Sequence, residues 1–177
     1  MLHFFWLVFG LCRYYKLNKL EDSEEHFKHA VALKPDVGPA HLNLGIVLLK
    51  KGDKEEGRRE LLEAIRLDSR LTKAYYNLGL VEAGEGRFLE AEKLYQKAIS
   101  MDPNDQPTYV RLGNLYVKQK KFSAAVEVFD RALKLDPNDS SSNTLWAGTG
   151  EPNACGSGCT AGVGLYRTTN GGNSWYG

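Results

Sequence analysis

Charge imbalance is the first thing this sequence lacks: 23 Lys and Arg stand against 22 Asp and Glu, a formal net charge of +1. Such a balance gives no global field toward nucleic acid or an anionic membrane, so no nucleic-acid partner is expected and binding must be argued locally. A long apolar run is missing too. The N-terminal stretch from Met1 to Cys12, with Phe4, Phe5, Trp6, Leu7, Val8 and Phe9, has roughly half of the ~20 residues that a membrane-spanning helix needs. Its cations, Arg13 and Lys16, follow it, and no small-residue cleavage site closes it, the wrong order for a secretory signal. A buried helix is the simpler reading; a signal or an anchor stays open.

Groups able to carry chemistry are also sparse. Of the histidines His3, His26, His29 and His41, only His26 and His29 stand one helical turn apart, and no third or fourth metal ligand is placed beside them. A solvated helix face accounts for that pair. Cys12 reads as a buried free cysteine. Cys155 and Cys159, flanking Gly156-Ser157-Gly158, are compatible with a disulfide in an oxidising compartment. Glycoside hydrolysis needs two carboxylates, and residues 141–177 offer Glu151 alone. Gly148-Thr149-Gly150 lacks the longer glycine spacing and the lysine of a phosphate-binding loop. No catalytic residue, metal or cofactor is therefore expected.

What is present is an echo. Tyr75, Leu78, Gly79, Ala91, Tyr95, Ala98 and Pro103 return 34 positions later as Tyr109, Leu112, Gly113, Ala125, Phe129, Ala132 and Pro137. A fixed period of this size predicts stacked copies of one supersecondary unit. Residues three and four apart share a helix face, so each copy reads as two helices that meet across their small and aromatic residues. Pro103 and Pro137, each after an Asp, stop the second helix and force the turn into the next copy. The preceding copy keeps Leu44, Gly45, Leu61 and Ala64 but has His41 for the aromatic, Gly57 for the alanine and Ser69 for the proline. The first keeps Tyr14, Phe27, Ala30 and Pro35, with Ser23 in an alanine place; Trp6, Phe9 and Gly10 fit its opening only with one residue inserted before Tyr14.

These residues resemble the tetratricopeptide repeat, W-x2-L-G-x2-Y, then A-x3-F, then A and P, over roughly residues 4 to 137. Leu48 and Glu82 depart from the pattern, standing where its first-helix Tyr is expected. The resemblance implies a mainly α fold: a right-handed superhelical solenoid of antiparallel helix pairs over 1–139, in repeats of about 4–37, 38–71, 72–105 and 106–139, with a short incomplete β tail. Arrays of this kind present a concave surface lined by the first helix of each pair. Asn43, Asn77 and Arg111 recur at one position of successive first helices and are expected to form a ladder there, flanked by Lys73, Asn114 and Lys118. Asparagine donates and accepts at once, which suits the backbone of an extended peptide, and the cations suit carboxylates. A chaperone-type carboxylate clamp is not expected, because Leu42, Ile46 and Pro107 stand where other clamp members would be.

Composition changes after Pro137. Residues 141–177 are rich in Gly, Ser, Thr and Asn; Thr144–Ala147 and Val163–Thr168 read as short strands, with Asn170-Gly171-Gly172-Asn173 as a turn. The octet Thr168 to Trp175 resembles the Asp-box, S/T-x-D-x-G-x-T/S-W, with Asn170 for the Asp, so residues 140–177 are expected to be a fragment of a β-propeller blade. A propeller needs typically 4–8 four-stranded blades, and the chain is accordingly expected to be a piece of a longer protein. The function expected is that of a non-catalytic scaffold binding a protein or an extended peptide. The alternative is the docking module of a truncated glycoside hydrolase or sialidase-like Asp-box enzyme.

Overall fold

The computed structural model describes residues 20–136, 145–147 and 166–168. The first span holds helices α1 (Leu20–Leu33), α2 (Gly38–Lys51), α3 (Lys54–Leu67), α4 (Thr72–Gly84), α5 (Phe88–Met101), α6 (Gln106–Lys118) and α7 (Phe122–Leu135). The fold is mainly α, built of antiparallel helix pairs. The chain divides into two compact bodies, Met1–Glu85 and Gly86–Gly177, so that α1 to α4 belong to the N-terminal body and α5 to α7 to the C-terminal one. Strands β1 (Leu145–Ala147) and β2 (Tyr166–Thr168) pair antiparallel, Trp146 opposite Arg167. They fall inside the two stretches expected to be strands. Pro137, the N-terminal apolar run and the Asp-box turn from Thr169 to Trp175 lie outside the described residues.

Local chemistry sets the helix ends. Pro39 sits in the first turn of α2, where a missing N–H costs nothing. Gly52 closes that helix in the left-handed region, φ 100°, its N–H turned back to the carbonyls of Leu48 and Leu49. One period on, Gly86 has φ 78°, and one further on the same conformation falls to Lys120, φ 58°. A lysine there carries the steric cost that glycine avoids. Asp102 is extended ahead of Pro103, as the proline ring demands; Asp68 is extended ahead of Ser69, so the second repeat makes the same turn without a proline.

In the N-terminal body Phe27, Leu44, Val47 and Leu48 form a buried cluster, with Val31 packed against it. Helices α2 and α3 touch through glycine. A Cβ on Gly45 would lie 3.0 Å from the Gly57 carbonyl oxygen, and one on Gly57 would lie 2.8 Å from Leu49 Cγ and 3.0 Å from the Gly45 carbonyl oxygen. The glycine at 57, a departure from the repeat pattern, is thus the residue that this close approach requires. In the C-terminal body Gly113 lies under the ring of Phe129, whose atoms would stand 2.6–2.8 Å from a Cβ there. Ala125 and Ala132, fully buried, complete the α6–α7 contact.

One polar contact recurs at the head of each first helix. Tyr75 Oη donates to the carbonyl of Ser69 at 3.2 Å, and Tyr109 Oη to that of Pro103 at 3.3 Å. His41, at the same position, donates from Nε2 to the carbonyl of Pro35 at 3.0 Å. The position therefore selects a ring with a donor at its far edge, which ties each first helix to the turn before it. His41 meets that requirement although it breaks the aromatic pattern, and its Nδ1 lies 2.7 Å from Glu60 Oε2 on α3. Tyr109→Phe, which keeps the ring and loses the donor, is expected to destabilise by about 1 kcal/mol in urea unfolding. An unchanged midpoint would reduce the contact to packing.

Candidate functional site

The first helices α2, α4 and α6 carry the residues that the sequence marks for binding. Asn43 is half-buried on α2; on α4 Lys73 is exposed and Asn77 half-buried; on α6 Arg111, Asn114 and Lys118 are all exposed. Arg111, Asn114 and Lys118 follow the three-and-four spacing that puts them on one helix face. Asn43, Lys73 and Asn77 belong to the N-terminal body, and the α6 residues to the C-terminal one. Asn77 is not idle: its Nδ2 donates to the Lys73 carbonyl oxygen at 2.7 Å, one turn back. That leaves its Oδ1 as an acceptor. Asn43, Asn114 and the ammonium groups of Lys73 and Lys118 have no hydrogen-bond or ion-pair partner among the described residues.

Other polar side chains are consumed in joining helices, and sequence reading missed them. Arg58 Nε on α3 donates to Glu82 Oε1 on α4 at 2.7 Å, and the Glu82 side chain is only 3% exposed. In the C-terminal body Tyr116 Oη on α6 donates to Glu92 Oε1 on α5 at 3.1 Å, while Gln96 donates to that phenol at 3.3 Å. Lys121, at the start of α7, reaches Glu92 Oε2 at 3.1 Å and lies 5.5 Å from the Tyr116 ring centroid. Burial, above all, pushes the Tyr116 phenol above its ordinary range; the Gln96 hydrogen bond opposes this and the Glu92 carboxylate adds to it. These two contacts occupy the same pair of repeat positions, since 58 and 92 differ by one period, as do 82 and 116. Leu48, one period before Glu82, fills the position with an apolar side chain. The departures Leu48 and Glu82 are thus variants of a helix-joining position, and the 34-residue period was the signal that could have paired them.

Glu24 on α1 binds Lys28 one turn on and Lys51 at the end of α2, at 2.6 and 2.5 Å. The two lysine hydrogen bonds, Lys28 first, hold its carboxyl below the ordinary range. A depressed carboxylate stabilises above its unfolded-state value and loses that contribution as pH falls through the folded-state value. His26 and His29 are both exposed on α1, and no group of three or more potential metal ligands occurs among the described residues. Cys12, Cys155 and Cys159 lie outside those residues. No helix among them is long and apolar enough to cross a membrane.

Tetratricopeptide repeat models match residues 12–72, 48–106 and 82–145. No curated protein sequence matches the chain. Among solved structures, a crystal structure of MamA is similar at 28% identity and a TM-score of 0.68, covering 74% of this chain and 77% of that one. PilF of Pseudomonas aeruginosa is similar at 22% identity and a TM-score of 0.71, over 77% of this chain and 63% of its own. MamA of Desulfovibrio magneticus RS-1 is similar at 19% identity and a TM-score of 0.68, over 75% of each chain.

Proposed function

Because the chain belongs to the tetratricopeptide repeat family, we propose that it is a non-catalytic interaction scaffold that binds extended segments of partner proteins on the first helices of each body. The carrying observation is the split in polar chemistry. Arg58, Glu82, Glu92 and Tyr116 are spent on joining helices, while Asn43, Lys73, Asn114 and Lys118 on the first helices satisfy nothing within the described residues. Amide and ammonium groups without a partner in the chain can give hydrogen bonds to a backbone and charge-assisted bonds to carboxylates. The Asn77 acceptor suits a peptide N–H, with its own amide held in place by the Lys73 carbonyl.

The test is the paired variant Asn77→Ala and Arg111→Ala, used as bait beside the unaltered chain. Its far-UV circular dichroism should be unchanged, and its affinity for partners captured by the unaltered chain should drop at least tenfold, on the order of 1.4 kcal/mol or more. Equal affinity for every such partner would remove the first helices as the binding surface.

A further inference from the structure

Tyr75 and Tyr109 reach the turn before their helix with a phenol, whereas His41 does so with an imidazole. Phenols ordinarily titrate near pH 10 and imidazoles between about pH 5 and 8. The His41 ring is 6% exposed and has an oxygen at each nitrogen, Glu60 Oε2 at 2.7 Å from Nδ1 and the Pro35 carbonyl at 3.0 Å from Nε2. A neutral imidazole offers one N–H and one lone pair. Since a carbonyl cannot donate, the single proton of a neutral ring belongs on Nε2, and the bare Nδ1 would then turn its lone pair on the carboxylate. One further proton, between Nδ1 and Oε2, makes both contacts hydrogen bonds. The trio is fully satisfied only when the His41–Glu60 pair holds that proton.

The surrounding charges favour it. On α3, Glu63 also feels the ring: its carboxyl is held below the ordinary range mainly by the Arg66 hydrogen bond, against desolvation, with the His41 charge contributing. Asp68, beside Gly38 at the head of α2, has its carboxylate on the Arg70 backbone N–H and guanidinium. Lys34 and Asp36 flank Pro35 in the turn after α1, and Lys73 stands in the first turn of α4, all three exposed. Among the described residues no ionisable side chain of α1 or α4 bonds the ring.

We propose that His41, Glu60 and the Pro35 carbonyl form a proton-dependent latch at the head of α2, closed while the pair holds the further proton and opened when rising pH removes it. A neutral ring has one donor for two acceptors, so either the tie to the Pro35 turn or the tie to α3 is given up, and a nearly buried polar group loses its partner. The sign follows from the proton count. The folded pair holds a proton that the neutral ring and ionised carboxylate of the unfolded chain lack, so stability falls as pH rises between about 6 and 8. The phenols of Tyr75 and Tyr109 make the corresponding tie in the next two repeats without this dependence.

The test is urea unfolding of the full chain at about pH 6 and about pH 8. Between the two, the unfolding equilibrium constant is expected to rise by about fivefold or more beyond its rise in Glu60→Gln. The glutamine amide can donate to a bare Nδ1, so that variant satisfies the neutral ring and keeps the contact. His41→Tyr, which installs the residue of the next two repeats, should lose the dependence in the same way, and His29→Gln, on an exposed histidine of α1, should keep it. Ring 15N NMR of the unaltered chain at about pH 6.5, where an isolated imidazole is half neutral, should find both nitrogens of His41 protonated. A bare ring nitrogen on His41 at that pH, or the same pH dependence in the unaltered chain as in Glu60→Gln, overturns the proposal. Where neither variant folds, the ring spectrum of the unaltered chain decides by itself.

Discussion

Phe129→Ala is expected to cost about 3–5 kcal/mol and to turn Gly113→Ala from a destabilising change into a stabilising one. The Phe129 side chain is 2% exposed, and its ring fills the space that a Cβ at position 113 would need. Truncating the ring leaves a cavity that the α6 backbone at Gly113 cannot fill, which places the cost in the upper range for a lost aromatic. With the ring present, an added methyl at 113 must displace it, at about 1–3 kcal/mol, more than the ~1 kcal/mol that alanine gains over glycine inside a helix. With the ring gone, only the gain remains. Urea unfolding of the two single variants and the double variant measures the coupling, which should exceed 1 kcal/mol. The same sign for Gly113→Ala in both backgrounds would show that ring and glycine do not share that space.

Arg58→Met should destabilise by about 2–3 kcal/mol, a little under the range seen when a fully buried ion pair loses one partner, because the Arg58 side chain is 36% exposed. The loss comes from Glu82, whose carboxyl group would stand in a nearly dry position without the guanidinium that faces it. Adding Glu82→Leu should recover most of the loss, since an apolar pair of similar volume pays no desolvation cost, and Leu48 already fills the corresponding position one period earlier. Urea midpoints decide the matter. A double variant no more stable than Arg58→Met alone would mean that the pair is not what holds α3 to α4 there.

The period, the helix pairs and the small-residue contacts were legible because each rests on residue size at a fixed spacing, and spacing is what a sequence displays. Gly113 and Ala125 announce close approach by being small. Less legible was the reason for each departure. His41 and Gly57 read as erosion of the second repeat, yet His41 makes the carbonyl contact that Tyr75 and Tyr109 make, and Gly57 is as small as the Gly45 backbone and Leu49 permit. A propensity pattern ranks residues by type, whereas those two positions select for a ring donor and for absent volume. The joining pairs were hidden for another reason: Arg58 and Glu82 stand on different repeats, and nothing in either repeat alone marks the contact. Of the residues proposed for binding, sequence placed all six on first helices but could not foresee that the Asn77 amide turns back to Lys73.

The pair of positions that carries Arg58 with Glu82 and Glu92 with Tyr116 has a consequence for how such a gene can change. Tandem repeats gain and lose whole periods by recombination between their own copies, and an array of interchangeable bricks would tolerate either event. Here two of the junctions are keyed, each by a different polar pair. Losing residues 72–105 in frame would set the phenol of Tyr116 where the carboxylate of Glu82 now meets Arg58, leaving the guanidinium facing a neutral group. The order of the repeats is thereby written into their polar contacts.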